Sequence, residues 1–323
     1  MTEPNLRILS LGAGVQSTAV LILAARGDLP RLDAAIFADT GWEPRAVYDH
    51  LDRLEAEVAR PAGIPIHRVS AGNIRRDALD PEHRFASMPL YIKNPDGSDG
   101  MARRQCTKEY KLAPIKRKTR ELLGYPRPAN VPRGVWAEQW VGISTDERGR
   151  ALDQDGSLKT GDVQYALNRY PLLDLDMSRD QCAALNAHAG FPDTPKSACI
   201  GCPYHGNRLW RDLRDNHPDE WADAVDFDAA IRAGSARANA TGNQLRGEAF
   251  LHRSRVPLSQ APIDRVTQTE WATRQGDMLH ELAIAEFEES LDDADAAALT
   301  GCSPFSCRDG SDVEDDEDEA ATA

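Results

Sequence analysis

An apolar run from Leu6 to Leu11 turns through Ser10-Leu-Gly-Ala-Gly-Val-Gln-Ser-Thr18 and passes into a helical pattern over Ala19 to Ala25. Strand, small-residue turn, hydroxyls and helix in that order restrict the fold to a sheet with a helix laid directly on it. The same order suits a phosphate. Gly12 and Gly14 let backbone N–H groups approach an anion with no Cβ in the way, and Ser17 and Thr18 add hydroxyl donors at the positive end of the helix. Most short Gly-Ser turns only redirect the chain, so the turn needs a second signal. The next apolar run, Ala34 to Ala38, ends in Asp39-Thr40-Gly41-Trp42-Glu43 and sets polar groups at a second strand's carboxyl end. Open α/β sheets bind ligands at that edge.

Apolar runs at 7–12, 34–39 and 65–69 alternate with helical patterns at 17–27 and 44–59. The β-α-β-α-β order predicts a doubly wound parallel sheet covered by helices on both faces. Asn94-Pro-Asp-Gly-Ser-Asp-Gly100 reads as a turn-rich, mobile loop. A helix is predicted from about Tyr110 to Leu123, with Pro114 near its first turn, and strands at Trp140–Ile143 and Tyr170–Leu173. Ser178 can cap a helix to about His188 that buries Ala183, Ala184 and Leu185. After Pro192, cysteines, aromatics and arginines replace the alternation in a segment read as helical. The expected organisation is a nucleotide-binding domain over 1–175, a helical Cys-containing region over 176–308 packed on it, and a disordered acidic tail over 309–323.

The chain has 323 residues, 41% of them hydrophobic and 28% charged, as in ordinary globular proteins. No stretch approaches the ~20 apolar residues of a membrane span. The N-terminus lacks the basic-then-apolar design of a signal peptide, so a cytoplasmic protein with no membrane partner is expected. The net charge of −14 is unevenly placed: eight carboxylates lie between Asp309 and Glu319. Conversely, Arg103, Arg104, Lys108, Lys111, Lys116, Arg117, Lys118 and Arg120 crowd one segment. Such a cluster either faces phosphates or forms a solvated helix face.

Cys199-Ile-Gly-Cys202, followed by Pro203-Tyr-His205, is a C-x-x-C whose glycine lets both sulfurs point inward. Cys106 stands upstream, and Cys302 and Cys307 downstream. Cys182 falls inside the predicted helix and reads as core. The set is compatible with an iron–sulfur cluster, zinc or free thiols. Zinc usually needs a second close pair, whereas cluster ligands can be scattered on separate loops. His205 is either a zinc ligand or an ordinary packed histidine.

Taken together, these motifs resemble the PP-loop ATP pyrophosphatase superfamily, in its phosphoadenosine-phosphosulfate-reductase-like branch. The resemblance runs from about Leu9 to Cys307. It is carried by Ser10-Leu-Gly-Ala-Gly-Val-Gln-Ser17, Phe37-Ala-Asp-Thr-Gly41, Cys106-Thr-Lys-Glu-Tyr-Lys-Leu-Ala-Pro114, Tyr170-Pro-Leu172, Cys199-Ile-Gly-Cys-Pro203 and Phe250-Leu-His-Arg-Ser254. One departure stands out. The pyrophosphatase signature Ser-Gly-Gly-x-Asp-Ser has Gly12 here for its first Ser and Gln16 for its Asp.

The resemblance implies ATP with Mg²⁺ at Ser10, Gly12, Ala13, Gly14, Gln16, Ser17, Thr18, Asp39 and Thr40, with Ser17, Asp39 and Lys108 in catalytic roles. It implies a four-iron, four-sulfur cluster on Cys106, Cys199, Cys202 and Cys307, Cys302 being an almost equal choice for the last. The implied chemistry is adenylation of a nucleic-acid oxygen for sulfur incorporation. DNA phosphorothioation is preferred to tRNA thiolation, with a cysteine desulfurase as sulfur donor and the oligomeric state open. Two alternatives remain. One is a sulfonucleotide reductase, although Thr300-Gly-Cys-Ser303 lacks the Glu and His of that enzyme's Glu-Cys-Gly-x-His motif. The other is a non-catalytic ATP-binding scaffold with structural zinc.

Overall fold

A computed structural model describes residues 3–84, 87–268, 270 and 271. Cys302, Cys307 and the acidic tail lie outside the described residues. The chain opens with β1 (Leu6–Ser10), α1 (Val15–Arg26), β2 (Ala34–Asp39), α2 (Arg45–Leu54) and β3 (Ile66–Ser70), the alternation its apolar runs predict. Next come α3 (Ile74–Leu79), β4 (Tyr91–Lys93), β5 (Asp99–Met101), α4 (Ala113–Leu122), β6 (Ala137–Val141) and β7 (Ala166–Arg169). The remainder adds α5 (Pro171–Asp174), α6 (Arg179–His188), α7 (Asn207–Asn216), α8 (Pro218–Ala230), α9 (Ala236–Ala240) and β8 (Glu248–Phe250).

The main sheet has the order β3-β2-β1-β6-β7 and every pair in it is parallel. The pleat sorts its side chains into two cores. Leu9, Ala35, Phe37 and Trp140 face α1, α2 and α6, while Ile8, Ile36 and Ala38 face Ile115 of α4. Helices therefore cover both faces, and the fold is the α/β parallel-sheet class predicted. The winding reverses between β1 and β6, which opens a crevice at their carboxyl ends. The loop from β1 to α1 lies at that switch point. Gly142, just after β6, touches it so closely that a Cβ there would lie 2.9 Å from the Ser17 nitrogen.

α1 is buried almost all round, from Gln16 to Ala24, because it is wedged between the sheet and its neighbouring helices. It ends at Gly27, whose φ of 85° caps it in the left-handed region. Cys182 is fully buried in this core, as its place on α6 predicted.

Four local expectations are corrected. Tyr170–Leu173 is not a strand: Pro171 begins a short helix, which a fixed φ favours, and the strand β7 ends one residue earlier, at Arg169. Asn94–Gly100 is not a free loop but the turn and second arm of the β4–β5 hairpin, with Gly97 at φ 82° at its tip. The segment after Pro192 is not all helical, since β8 pairs antiparallel with β4 in a second sheet of order β5-β4-β8. The helix expected from Tyr110 begins earlier, as a wide turn over Thr107–Leu112 that continues into α4. That wider winding gives the Pro114 ring room from the carbonyl one turn back.

A second core joins Trp42, Ile74, Met88, Leu90 and Tyr110 to Ile200, Trp210 and Phe227. It ties the C-terminal helices to the polar end of β2. Trp42 carries much of this contact, with its ring 4.7 Å from that of Phe227 and its indole N–H donated to Asp223. A Cβ on Gly201 would fall 2.0 Å from the Trp42 ring, so the C-x-x-C turn lies flat against this side chain.

Candidate functional site

The glycine loop forms a backbone cradle. Ala13 has φ 56°, a left-handed residue between two glycines, and this alternation aims successive N–H groups to one side. Gly12 N–H and Gly14 N–H both donate to Ser17 Oγ, at 3.2 and 3.3 Å. The Ser17 oxygen thus occupies the place where an anionic oxygen would collect two donors. The positive end of α1 adds to the attraction.

The other residues predicted for this site divide. Ser10 is buried in the sheet, where its hydroxyl accepts from Gln139 Nε2 at 2.8 Å. Thr18 is fully buried on α1 and pairs with His50 Nε2 at 3.0 Å, so its hydroxyl is committed to α2 rather than to the cradle. Burial, helped by Arg53, pushes His50 down to about 4, so its ring is neutral. Gln16 is also enclosed. Its amide donates to Glu147 Oε1 at 2.9 Å and its oxygen accepts from Arg179 at 3.3 Å. Arg150 pairs with the other oxygen of Glu147. Burial raises the Glu147 carboxyl, while Arg150 and Arg179 oppose that shift. Gln16 therefore anchors the first turn of α1 to the segment after β6. An Asp here would set a second carboxylate against Glu147.

Asp39, at the end of β2, accepts from the Gly41 N–H and from Tyr48 Oη, each at 2.7 Å. Immediately beyond it lies a second site. Thr40, Arg104, Cys106, Thr107, Lys111, Cys199, Cys202 and Tyr204, with the apolar Ile74, Met88 and Pro89, line one small open pocket. Three cysteines from two distant segments thus meet in it. Glu43, which sequence reasoning had not assigned, is the buried hub behind them. Its Oε1 accepts from Thr40 Oγ1 at 3.0 Å, lies 3.4 Å from Lys111 Nζ and 3.7 Å from Cys199 Sγ. Thr40 Oγ1 is also 3.2 Å from Cys199 Sγ. Burial and the Glu43 charge hold the Cys199 thiol well above its usual range.

Lys108, predicted as the catalytic lysine, is exposed on the wide helical turn, while Lys111 is the lysine that enters the pocket. A turn wider than the α-helix sends positions 108 and 111 to different sides. Arg104 also reaches the pocket, with its guanidinium 4.8 Å over the Tyr204 ring. His205 is no part of the lining. Its Nε2 donates to the Cys199 and Ile200 carbonyls, at 2.9 and 3.1 Å, and burial pushes it down to about 3. The histidine shapes the C-x-x-C turn from behind. Among the described residues, no three His, Cys, Asp or Glu side chains have the geometry to hold a single metal ion. None of the helices among them is long and apolar enough to cross a membrane.

No protein-family model matches the chain. One curated relative, an uncharacterized 37.8 kDa protein of Escherichia phage 186, is 38% identical over 74 residues, which are 23% of this chain and 20% of that protein. The match therefore spans about a fifth of the relative's length. Among solved structures, a phosphoadenylyl-sulfate (PAPS) reductase from Candida auris, in a phosphate complex, aligns over 60% of this chain and 76% of its own. That alignment has 15% sequence identity and a TM-score of 0.35, a likeness too slight to bear on activity.

Proposed function

We propose that this protein is an ATP pyrophosphatase that adenylates a nucleic-acid oxygen for sulfur incorporation, with DNA phosphorothioation as the preferred setting. The observation that carries the reading is the joining of Cys106, Cys199 and Cys202 in one pocket beside the end of β2, next to the strand that leads into the glycine cradle. A backbone anion site and a thiol pocket at one sheet edge suit a reaction that activates an oxygen and then replaces it with sulfur.

In the first step, the acceptor oxygen forms a bond to the α-phosphorus of ATP, the bond to the β-phosphate breaks, and pyrophosphate leaves. Gly12 and Gly14 N–H and the Ser17 hydroxyl would bind the phosphates, which stabilises charge on the departing group. Asp39 is the carboxylate closest in the chain to this edge, suited to Mg²⁺ or to the ribose. In the second step, the outer sulfur of a persulfide bonds to the activated centre and AMP leaves with the original oxygen. A second cysteine thiol then attacks the inner sulfur, the S–S bond breaks, the sulfur stays on the acceptor and the two cysteines are left as a disulfide. A cysteine desulfurase would provide the sulfur as persulfide. Arg104 would hold the acceptor's phosphate at the pocket, while Lys111 stays paired with Glu43.

We read the donor set as that of an iron–sulfur cluster, because three cysteines from two segments line one pocket and cluster ligands can come from separate loops. Cys106, Cys199 and Cys202 would hold it, with Cys307 as the proposed fourth ligand. When bound, the cluster would supply a site able to carry sulfur.

The test is pyrophosphate release from ATP in the presence of DNA or tRNA by anaerobically purified protein, with Ser17→Ala as control. Acceptor-dependent release that Ser17→Ala abolishes is the expected result. Sulfite release from a sulfonucleotide, with no pyrophosphate from ATP, would identify a reductase instead.

A further inference from the structure

The segment from Thr194 to Gly201 crosses the glycine loop on its way to the cysteines, and it is pinned at both ends. At its start, Asn186 Nδ2 donates to the Val15 carbonyl at 2.9 Å and lies 3.4 Å from Thr194 Oγ1, tying this end to the first residue of α1. At its far end, Ile200 N–H donates to the Trp42 carbonyl at 2.9 Å, and Gly201 lies against the Trp42 ring. Between the pins, Ser197 stands where side chains on the loop's glycines would lie. A Cβ on Gly12 would meet Ser197 Oγ at 3.1 Å. One on Gly14 would meet Ser197 Cβ at 3.1 Å and its nitrogen at 3.3 Å. Two residues later, Cys199 Sγ touches Thr40.

We infer that Ser197 is a positioning residue that couples the two sites: an anion entering the glycine loop shifts Ser197, and the shift resets the backbone that carries Cys199 and Cys202. The inference rests on the nucleotide reading of the loop. The physical ground is close packing over a short, doubly pinned strap. Ser197 fills the space that side chains at positions 12 and 14 would take, so a loop that shifts toward it on filling has no free room, and only two residues separate it from Cys199 to absorb the motion. Linkage makes the coupling reciprocal, so ligation of the cysteines changes anion affinity by the same factor. Such a device would ready the thiol pocket only when a nucleotide's phosphates have been bound in the loop.

Hydrogen exchange on the full-length protein tests this, with inorganic pyrophosphate as the probe because it fills a phosphate site without a base or ribose. Pyrophosphate should slow exchange across residues 198–202, which include the Ile200 and Cys202 amides, by roughly fivefold or more, the lower range of allosteric couplings. In Ser197→Gly the change should fall below about twofold, while equilibrium dialysis still detects pyrophosphate binding. Ser197→Ala, which keeps the strap backbone, should show the same loss in smaller degree and carries the test if the glycine variant unfolds. Equal protection in wild type and both variants, or protection confined to residues 12–18, overturns the coupling. If the wild type binds neither pyrophosphate nor ATP, the nucleotide reading falls and the coupling with it. Binding without a change at 198–202 removes the coupling alone.

Discussion

The glycine cradle and the cysteine pocket adjoin at one sheet edge, yet they are built in opposite ways. The cradle comes from one unbroken stretch, Gly12 to Ser17, and its donors are backbone N–H groups. The pocket is assembled from separate segments, at 40, 74, 88–89, 104–111 and 199–204, and its working groups are side chains. A backbone site tolerates side-chain change as long as the glycines remain. A side-chain site that also holds a buried ion pair does not, because each partner leaves a charge behind when the other is removed. The two should therefore respond differently to substitution.

The largest difference is expected for Cys199→Ser. Iron content and sulfur transfer should be lost while ATP still binds, its affinity shifted by no more than the coupling factor between the two sites, measured by metal analysis and equilibrium binding on anaerobically purified protein. Retained sulfur transfer, or protein isolated with zinc and no iron, would sink the cluster reading. Cys182→Ser, in the core beneath α1, should affect neither.

Next is Lys111→Ala, which strands the Glu43 carboxylate in a nearly closed site. The side chains of Lys111 and Glu43 are only 7% and 1% exposed. Breaking such a pair typically costs ~3–5 kcal/mol, to be read as a fall in denaturant midpoint. A double variant Lys111→Met, Glu43→Gln should recover part of the loss. Failure to recover would show that packing, not charge, holds this corner.

Acid should weaken both regions through buried histidines. Burial pushes His50, behind the cradle, and His252, which bonds Asn207 on α7, down to about 4 from 6.5. Between those values the unfolded chain binds the protons and the folded chain does not. Stability is thus full above about pH 6.5 and declines as the pH falls toward 4, by up to ~3 kcal/mol for each ring. Thermal midpoints across that interval should fall less steeply in His50→Gln and in His252→Gln. A flat profile in the wild type would contradict the neutral-ring assignment.

The smallest effect is expected at the cradle. Gly14→Val places a side chain against Ser197 and closes the approach to the backbone donors, weakening ATP binding by ~1–3 kcal/mol with the fold retained. Unchanged affinity in the folded variant would remove the cradle as the nucleotide site.

Much of this molecule was legible in its residues. The alternation of apolar runs with helical patterns identified β1, α1, β2, α2 and β3, and Ser178 marked the start of α6 through its bond from the Gln181 N–H. Short elements were harder to read. β4 and β8 are three residues each; β8 becomes a strand only by pairing with β4, which pairs with β5 on its other side. Tyr170-Pro-Leu-Leu173 is apolar enough for a strand, but Pro171 and the end of the sheet at Arg169 decide for a helix.

The candidate site divides on the same line. Local sequence determined the cradle, because two glycines, a left-handed residue between them and a helix start need nothing from afar to aim their N–H groups. It also marked Cys199 and Cys202 by spacing. Only the tertiary structure decided that Lys111 rather than Lys108 enters the pocket, that Glu43 stands behind Cys199, that Gln16 answers to Glu147, and that Ser197 lies across the glycines. Each of these is a contact between side chains or segments far apart in the chain. Such contacts follow from the winding of the sheet and the angle at which elements pack, which no local pattern of residues encodes.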